Sequence, residues 1–381
     1  MNALLKLEQY GQSYWLDDLT RAMIASGELR HRVAVRGLRG VTSNPTIFHK
    51  AITESRDYDE QIEQLAREGC SALEIYETLT TRDVRDACDV LRPVYEQTEH
   101  LDGYVSLEVS PHLAHDAEGS ISEAQRLYAA VDRRNVFIKI PGTTAGVTAI
   151  EELLYQGVPV NVTLLFSIER YATVAEAYMR ALERRAAAGR SVGEPSSVAS
   201  FFLSRIDVLV DELLSHRFTP GAQGSGDPRA LLGKVAIANA KLAYNDFKIL
   251  TSSERWRSLA ERGANVQRLL WASTSTKNPA YSDVMYVEPL IGPATVNTMP
   301  EATIAAFENH GCADDTLEAG LAEAADVMRK LETHDIDFHI VAEQLLNEGV
   351  EKFIVPYDAL LAELESRRRS FAPRAARERR A

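Results

Sequence analysis

Cysteine is scarce in this chain of 381 residues, where Cys70, Cys88 and Cys312 lie far apart. Three widely spaced cysteines fit neither a disulfide framework nor the spacing of a zinc site. Long apolar runs are also lacking: no stretch approaches the about 18 apolar residues of a membrane-spanning helix, and residues 1–12 hold no apolar core of signal length. We therefore expect a cytoplasmic protein that binds no membrane.

An excess of basic charge is lacking as well. The chain holds 42 Lys and Arg against 55 Asp and Glu, which gives a formal net charge of −13. That balance disfavours a nucleic-acid partner. An anionic substrate would need a local pocket of cationic side chains, because the rest of the chain repels it.

Two segments lack the patterning of helices or strands. Residues 222–228 (AQGSGDP) predict a flexible loop, because they are small and polar. Residues 367–381 hold seven Arg and one Glu and predict a disordered basic tail. The remainder, residues 1–366, is expected to form one catalytic domain.

Short segments rich in β-branched and aromatic residues recur between long stretches of helical periodicity. Connections of that length favour parallel pairing, because antiparallel neighbours need only a short turn. The predicted strands are Tyr14–Asp17, Gly40–Asn44, Tyr104–Val109, Val136–Ile140, Val158–Phe166, Ser197–Phe202, Leu269–Ser273 and Met285–Ile291.

Polar and apolar residues alternate within several of these strands. In Val158–Phe166, Asn161 and Thr163 share one face, and the valines share the other. In a closed barrel the apolar face packs on helices and the polar face lines the interior near the C-terminal mouth. A half-solvated antiparallel sheet would also alternate, whereas a doubly wound open sheet would have continuous apolar strands. We expect an α/β fold, a single (β/α)8 TIM barrel with extra helices.

Lysine is scarce, and only Lys139 falls at the end of an apolar strand. Burial there would disfavour the charged ammonium and favour the free amine, which is a nucleophile. The alternative is a lysine whose amine reaches solvent from the strand end. Spacing alone leaves both interpretations open.

Two carboxyl groups occupy similar positions on other strands: Asp17 at the end of the first, and Glu108 inside the third. A carboxylate that faces a barrel interior is costly to bury unless it is paired or hydrogen-bonded. One could pair with a cation while the other carries a proton. Asp18 would face away from Asp17, so we favour Asp17, although each acid could also be a surface residue.

Amides and hydroxyls extend the same inferred face, and they suit a polyhydroxylated ligand. They are Asn44, Asn161, Thr163 and Ser200. His112 and His115 lie close together but have no evident third ligand, so we expect no metal site.

Seven blocks, in order over residues 13–360, resemble the transaldolase family in its longer bacterial form. They are Trp15–Asp17, Gly40–Pro45, Ser106–Val109, Ile138–Pro141, Asn161–Ser167, Ser200–Arg205 and Trp271–Thr274. The resemblance implies a (β/α)8 barrel that moves a dihydroxyacetone unit from a ketose phosphate to an aldose phosphate. Expected donors are sedoheptulose 7-phosphate and fructose 6-phosphate, and the expected acceptor is glyceraldehyde 3-phosphate.

The resemblance also implies catalytic roles. Lys139 would attack the ketose carbonyl and form a Schiff base. Asp17 would take the proton of the C4 hydroxyl as the C3–C4 bond breaks. Glu108 and Thr163 would hold a water that relays protons. The protonated imine accepts the electrons, so we expect no metal and no cofactor.

Sugar and phosphate contacts follow from the same resemblance. The implied residues are Thr42, Asn44, Ser106, Asn161, Ser200, Phe202, Arg205, Ser273 and Lys277. Many family members place a second phosphate-binding arginine shortly after the serine of strand seven, where this chain offers Lys277. A guanidinium fork or an ammonium can each bind a phosphate, with different geometry.

Two alternative functions stay open. A fructose-6-phosphate aldolase on the same barrel would release free dihydroxyacetone, but Phe202 stands where aldolase-type relatives have tyrosine, which favours transfer. A catalytically silent barrel that binds sugar phosphates is the other. The sequence leaves a monomer and a homodimer equally open.

Overall fold

The computed structural model of the protein describes residues 2–217 and 227–371. Eight parallel strands in this part follow one another around a closed barrel, and the last pairs with the first. They are β1 (Gln12–Leu16), β2 (Gly40–Thr42), β3 (Tyr104–Glu108), β4 (Val136–Pro141), β5 (Val160–Leu165), β6 (Ser197–Phe202), β7 (Arg268–Ala272) and β8 (Thr295–Met299). The predicted α/β TIM barrel is confirmed.

Helices cover the outside of the barrel. The α-helices of the described residues are α1 (Ala3–Leu7), α2 (Arg21–Ala25), α3 (Glu28–Arg36), α4 (Pro45–Thr53), α5 (Asp59–Glu68), α6 (Ala72–Gln97), α7 (Ala117–Val131), α8 (Thr144–Gln156), α9 (Ile168–Ala187), α10 (Ser204–Arg217), α11 (Val235–Thr251), α12 (Glu254–Ala260), α13 (Glu301–His310), α14 (Leu321–Thr333) and α15 (Phe338–Phe371). Short 3-10 helices lie at Glu8–Tyr10, Pro111–Leu113, Pro228–Leu231 and Glu288–Leu290. Within residues 2–217 and 227–371, the helices are all too short or too polar to cross a bilayer.

The prediction of a strand at Met285–Ile291 is wrong. That segment forms turns and the 3-10 helix Glu288–Leu290, and the eighth strand is Thr295–Met299. Apolar side chains of the segment pack into the core, which made a loop resemble a strand. The true strand carries β-branched residues between Pro293 and Pro300, and that pattern was available in the sequence.

The C-terminal helix is longer than the sequence predicted. It runs to Phe371, so residues 367–371 are helical rather than part of a tail. Arg368 and Arg369 both pair with Glu365 at 2.7 Å, and basic residues suit the last turn of a helix. Residues 372–381 of the predicted tail, and residues 222–226 of the predicted loop, lie outside the described part of the chain.

Polar side chains start the helices that leave the C-terminal ends of the strands. Asn44 Oδ1 accepts from the first turn of α4, Thr143 Oγ1 from α8 and Ser167 Oγ from α9, at 2.9–3.2 Å. Such caps satisfy backbone N–H groups that have no partner within the helix. They fix the loops that surround the mouth of the barrel.

The lower half of the barrel interior is filled. Arg268 and Trp15 both donate to Asp102, at 2.8 and 3.0 Å, and the Trp15 ring stacks on Phe137 with centroids 6.2 Å apart. A Cβ at Gly40 would lie 2.4 Å from the Trp15 ring, so glycine is needed for the indole to occupy the interior. This floor closes the barrel from below and leaves the C-terminal mouth open.

Candidate active site

A cavity of about 300 Å³ lies at the C-terminal ends of the strands. Most of the residues that the sequence singled out form its wall. They are Asp17, Thr42, Asn44, Lys139, Asn161, Thr163, Ser200, Phe202, Arg205, Ser273 and Lys277. Glu108 and Ser106 lie behind the wall and contact residues that form it.

Lys139 is buried among hydrogen-bond acceptors. Its side chain is 6% exposed, and Nζ donates to Glu108 Oε2 and to the carbonyl of Ser43, both at 3.0 Å. The register of β3 and β4 places Glu108 directly beside Lys139. The amine therefore lies inside the barrel. This excludes the alternative that Lys139 extends from the strand end into solvent.

Glu108 combines burial with an ion pair. Burial raises the pKa of its carboxyl group, and the neighbouring Lys139 opposes that rise. A raised pKa makes the carboxylate a stronger base than an ordinary glutamate. Glu108 is therefore suited to proton transfer next to an amine that changes its bonding.

Asp17 directly follows β1 and is half-buried. Its Oδ1 accepts a hydrogen bond of 2.7 Å from Thr42 Oγ1, which also lies 2.7 Å from Thr298 Oγ1. Burial raises the pKa of Asp17, while the Thr42 hydrogen bond and the charge of Lys139 oppose the rise. Asp18 is absent from the wall, so the choice of Asp17 over Asp18 agrees with the geometry.

Asn161 is the centre of a buried polar chain. Its Nδ2 donates to Ser106 Oγ at 3.1 Å, and Ser200 Oγ donates to its Oδ1 at 2.7 Å. These contacts fix the orientation of the amide in the wall. Thr163 Oγ1, by contrast, is buried and has no hydrogen-bond partner within the described residues, so it can hold a ligand or a water.

Cationic groups gather in another part of the wall. Arg205 Nη1 is buried with no hydrogen-bond partner among residues 2–217 and 227–371, and the Phe202 ring centroid lies 5.3 Å from its Cζ. Burial lowers the pKa of Lys277, and the nearby Arg205 adds to that effect. Two cations held close together in a partly buried wall favour an anion between them.

Ser273 precedes the Lys277 loop in an unusual backbone conformation. Its φ of 54° lies in the left-handed region, and its Oγ lies 2.8 Å from Ser204 Oγ at the start of α10. Non-glycine residues in that region cost free energy and concentrate at functional sites. The turn brings the end of β7 against the helix that carries Arg205.

A profile of the family described as Transaldolase/Fructose-6-phosphate aldolase matches residues 14–364. The chain belongs to this family. It is 49% identical over 378 residues to "Transaldolase 2" of Nostoc sp., covering 98% of this chain and 99% of that protein. It is 50% identical over 376 residues to "Transaldolase" of Trichodesmium erythraeum, again covering 98% and 99%.

A third relative is "Transaldolase" of Parafrankia sp., which is 47% identical over 359 residues, 94% of this chain and 96% of that protein. The matches run over nearly the whole length of both partners. They confirm the resemblance that the ordered blocks indicated, and with it the prediction of a transaldolase enzyme.

Metal ligands do not cluster in the part of the chain that the structure describes: it holds no group of three or more His, Cys, Asp or Glu side chains that could bind an ion. His112 Nε2 lies 2.7 Å from Asp358 on α15, so this histidine pairs with a surface acid.

Thr298 and Phe353 are among the wall residues that the sequence analysis did not single out. Thr298 was missed because the eighth strand was misplaced, and the Thr295–Met299 pattern would have found it. Phe353 lies on α15, far along the chain from the strands, and no pattern in the sequence ties a helical phenylalanine to a barrel mouth.

Proposed function

We propose that Lys139 carries the transaldolase activity of this enzyme by forming a Schiff base with a ketose phosphate. The observation that supports this most strongly is the buried amine of Lys139, 3.0 Å from Glu108 Oε2, in a cavity that also holds Arg205 and Lys277. A buried amine beside a proton carrier suits imine formation. The cationic end suits the phosphate of the sugar.

The first stage joins the sugar to the enzyme. Glu108 takes a proton from Lys139 Nζ across their 3.0 Å hydrogen bond, and the amine then attacks the ketose carbonyl carbon. The resulting carbinolamine loses water to give a protonated imine. Glu108 and Thr163 hold the water that carries protons to and from the reacting oxygen. The raised pKa of Glu108 supports this role, because it makes the carboxylate a stronger base than an ordinary glutamate.

The second stage breaks and remakes a carbon–carbon bond. Asp17 takes the proton of the C4 hydroxyl, the C3–C4 bond breaks, and its electrons move into the protonated imine. The aldose leaves, and an enamine of dihydroxyacetone stays on Lys139. The enamine carbon then attacks an acceptor aldehyde, and Asp17 returns the proton to the new hydroxyl. Water adds to C2 of the product imine and the C2–N bond breaks, which frees the new ketose and the amine of Lys139.

The substrates are phosphorylated sugars. The donor is sedoheptulose 7-phosphate and the acceptor is glyceraldehyde 3-phosphate, which give erythrose 4-phosphate and fructose 6-phosphate in the pentose phosphate pathway. Asn44 and Asn161 bind hydroxyls of the donor, and Arg205 and Lys277 bind the phosphate. The fixed Asn161 amide and the unpartnered Arg205 Nη1 support these assignments.

Borohydride trapping tests the mechanism. Intact-mass spectrometry after incubation with fructose 6-phosphate and borohydride is expected to show an adduct of one dihydroxyacetone unit, and peptide mapping should place it on Lys139. The same treatment of Lys139→Ala, or of the wild type without sugar, should give none. An adduct at another lysine, or none from folded active protein, would reject Lys139 as the nucleophile.

Fructose-6-phosphate aldolase activity is the second candidate, since the matching family includes such enzymes. Phe202 supports transfer, because its ring lies against Arg205 and places no hydroxyl in the cavity. Incubation with fructose 6-phosphate alone separates the two activities. Many turnovers of free dihydroxyacetone per enzyme would favour the aldolase.

The cellular location and assembly of the chain are further proposals. Cys70, Cys88 and Cys312 are all free thiols, which supports a reducing compartment such as the cytoplasm. A monomer or a homodimer both accommodate the site, since one chain supplies every residue of the described wall. Light scattering after gel filtration distinguishes the two assemblies.

A further inference from the structure

Helix α15 crosses the open end of the barrel. It packs against α4, which leaves β2, against α10, which leaves β6, and against the 3-10 helix Pro111–Leu113 that follows β3. These elements surround the C-terminal mouth. The helix therefore covers part of the C-terminal mouth.

Phe353 is the α15 residue that reaches the reaction centre. Its ring centroid lies 5.7 Å from Lys139 Nζ and 5.7 Å from Arg205 Cζ, and the side chain is 4% exposed. The ring thus borders both the amine that forms the imine and the guanidinium assigned to the phosphate. It adds an aromatic ring to a wall in which most residues have polar side chains.

Gly349 sets how closely α15 approaches the barrel. A Cβ at this position would lie 2.8 Å from Leu164 Cδ2 and 3.4 Å from Arg205 Nη1. Leu164 itself has a φ of 59°, where the register between β5 and β6 shifts. One helical turn after Gly349, Phe353 projects into the cavity, so the close contact at Gly349 holds the Phe353 ring over the mouth.

We propose that Phe353 keeps water away from the dihydroxyacetone unit bound to Lys139 and so determines how much of it is transferred rather than hydrolysed. This inference rests on the proposed function. Hydrolysis requires the enamine to take a proton at C3, water to add to C2, and the C2–N bond to break, which frees dihydroxyacetone and restores the amine. An apolar ring at the mouth lowers the supply of that water while the site waits for an acceptor.

The test compares hydrolysis with transfer in one set of enzymes. Free dihydroxyacetone is measured with fructose 6-phosphate alone, and sedoheptulose 7-phosphate is measured after erythrose 4-phosphate is added. In Phe353→Ala the ratio of hydrolysis to transfer is expected to rise at least about tenfold over the wild type. Phe353→Leu should stay within about twofold of the wild type, because leucine still fills the position.

Leu360→Ala is the matched control. Leu360 is fully buried on the same helix and does not form the cavity wall, so its loss weakens α15 without opening the mouth. The ratio of hydrolysis to transfer in Leu360→Ala should equal that of the wild type. An equal ratio in Phe353→Ala, Leu360→Ala and the wild type would overturn the inference, as would a rise in Leu360→Ala as large as in Phe353→Ala.

A second variant covers the case in which Phe353→Ala does not fold. Gly349→Ala introduces a methyl group 2.8 Å from Cδ2 of the buried Leu164, which pushes α15 and this side chain apart while Phe353 stays present. The ratio of hydrolysis to transfer should rise in this variant too. An unchanged ratio would count against the proposal that Phe353 keeps water away from Lys139. If borohydride traps no adduct on wild-type Lys139, the proposed function itself fails. If the adduct forms but the ratio does not change in any variant, only the role of Phe353 fails.

Discussion

Tyr286 donates a 2.8 Å hydrogen bond to Asp207 and thereby ties the loop that carries Lys277 to α10, the helix that begins beside Arg205. A second pair, Tyr281 and Asp211, joins the same two elements at 2.7 Å. The spacing of Arg205 and Lys277 therefore depends on two tyrosine hydroxyls that lie outside the cavity wall.

Removing one of these hydroxyls should weaken phosphate binding. We expect Tyr286→Phe to lose about 1 to 3 kcal/mol of stability, the usual loss for a buried hydrogen bond to a charged group. The KM for fructose 6-phosphate should rise more than kcat falls, as steady-state kinetics would show. Tyr178→Phe is the control, because the Tyr178 hydroxyl donates at 2.7 Å to the carbonyl of Asn265 near the barrel floor. An equal rise in KM in both variants would argue against positioning by Tyr286.

Asp207 should also make stability depend on pH. Burial raises its pKa to about 6, above its ordinary value, so the folded protein binds more protons than the unfolded chain between about pH 4 and 6. The contribution of Asp207 to the stability of the folded protein is therefore greatest at low pH, and it is lost as the pH rises through about 6. Denaturant unfolding should show that the free energy of unfolding of Asp207→Asn rises relative to that of the wild type as the pH increases over that interval. A constant difference from pH 4 to 7 would contradict the raised pKa.

Lys139→Ala should abolish transfer, with a loss in kcat of about 10⁴-fold or more, because no other group can form the imine. Binding of a donor sugar phosphate, measured by calorimetry, should persist, because the amides and cations of the wall remain. Lys139→Arg is the charge-matched comparison, and it should be equally inactive. Turnover near the wild-type rate in either variant would exclude covalent catalysis by Lys139.

The pH dependence of transfer reports on Asp17. Burial raises its pKa, so activity should fall in acid at a pH above the ordinary range of an aspartate. Thr42→Val removes the hydrogen bond that opposes this rise, and the acid limb of kcat should move to higher pH. Thr80→Val is the control, because the Thr80 hydroxyl donates to the backbone of α6 at 3.0 Å. This variant should leave the acid limb of kcat in place. A shift to lower pH in Thr42→Val would contradict the assignment.

Lys277→Met tests the cation that stands in the loop after β7. The variant keeps most of the side-chain length but loses the charge, and the KM for a phosphorylated donor should rise about tenfold, which corresponds to about 1.4 kcal/mol. Rates with the unphosphorylated sugar should change little. Equal losses with both sugars would show that Lys277 acts on something other than the phosphate.

Seven of the eight strands, and the inner face that Lys139, Glu108 and Asp17 share, could be predicted because alternation within a strand specifies which side chains share a face. Lys139, Glu108 and Asp17 were placed on one inner face, and the barrel brings all three together. Their mutual distances were not predictable, because these depend on the register between strands. The register is set by packing around the whole barrel.

Phe353 and the true eighth strand show where local pattern fails. Tyr286 lies in an apolar segment whose pattern resembles a strand, yet it is buried in a loop and its hydroxyl donates to Asp207 on a helix far away in the sequence. Phe353 reaches the cavity only because α15 folds back over the mouth. Both facts depend on contacts between distant segments, which hydrophobic periodicity does not encode.

The filled floor of the barrel has a kinetic consequence. The interior is closed from below by Arg268, Asp102 and Trp15. Both sugars must therefore enter and leave through the C-terminal mouth. The first aldose has to depart before the second can enter, and the two compete for one place beside the enamine. Double-reciprocal plots for donor and acceptor should therefore be parallel lines, and each aldose should inhibit the turnover of the other.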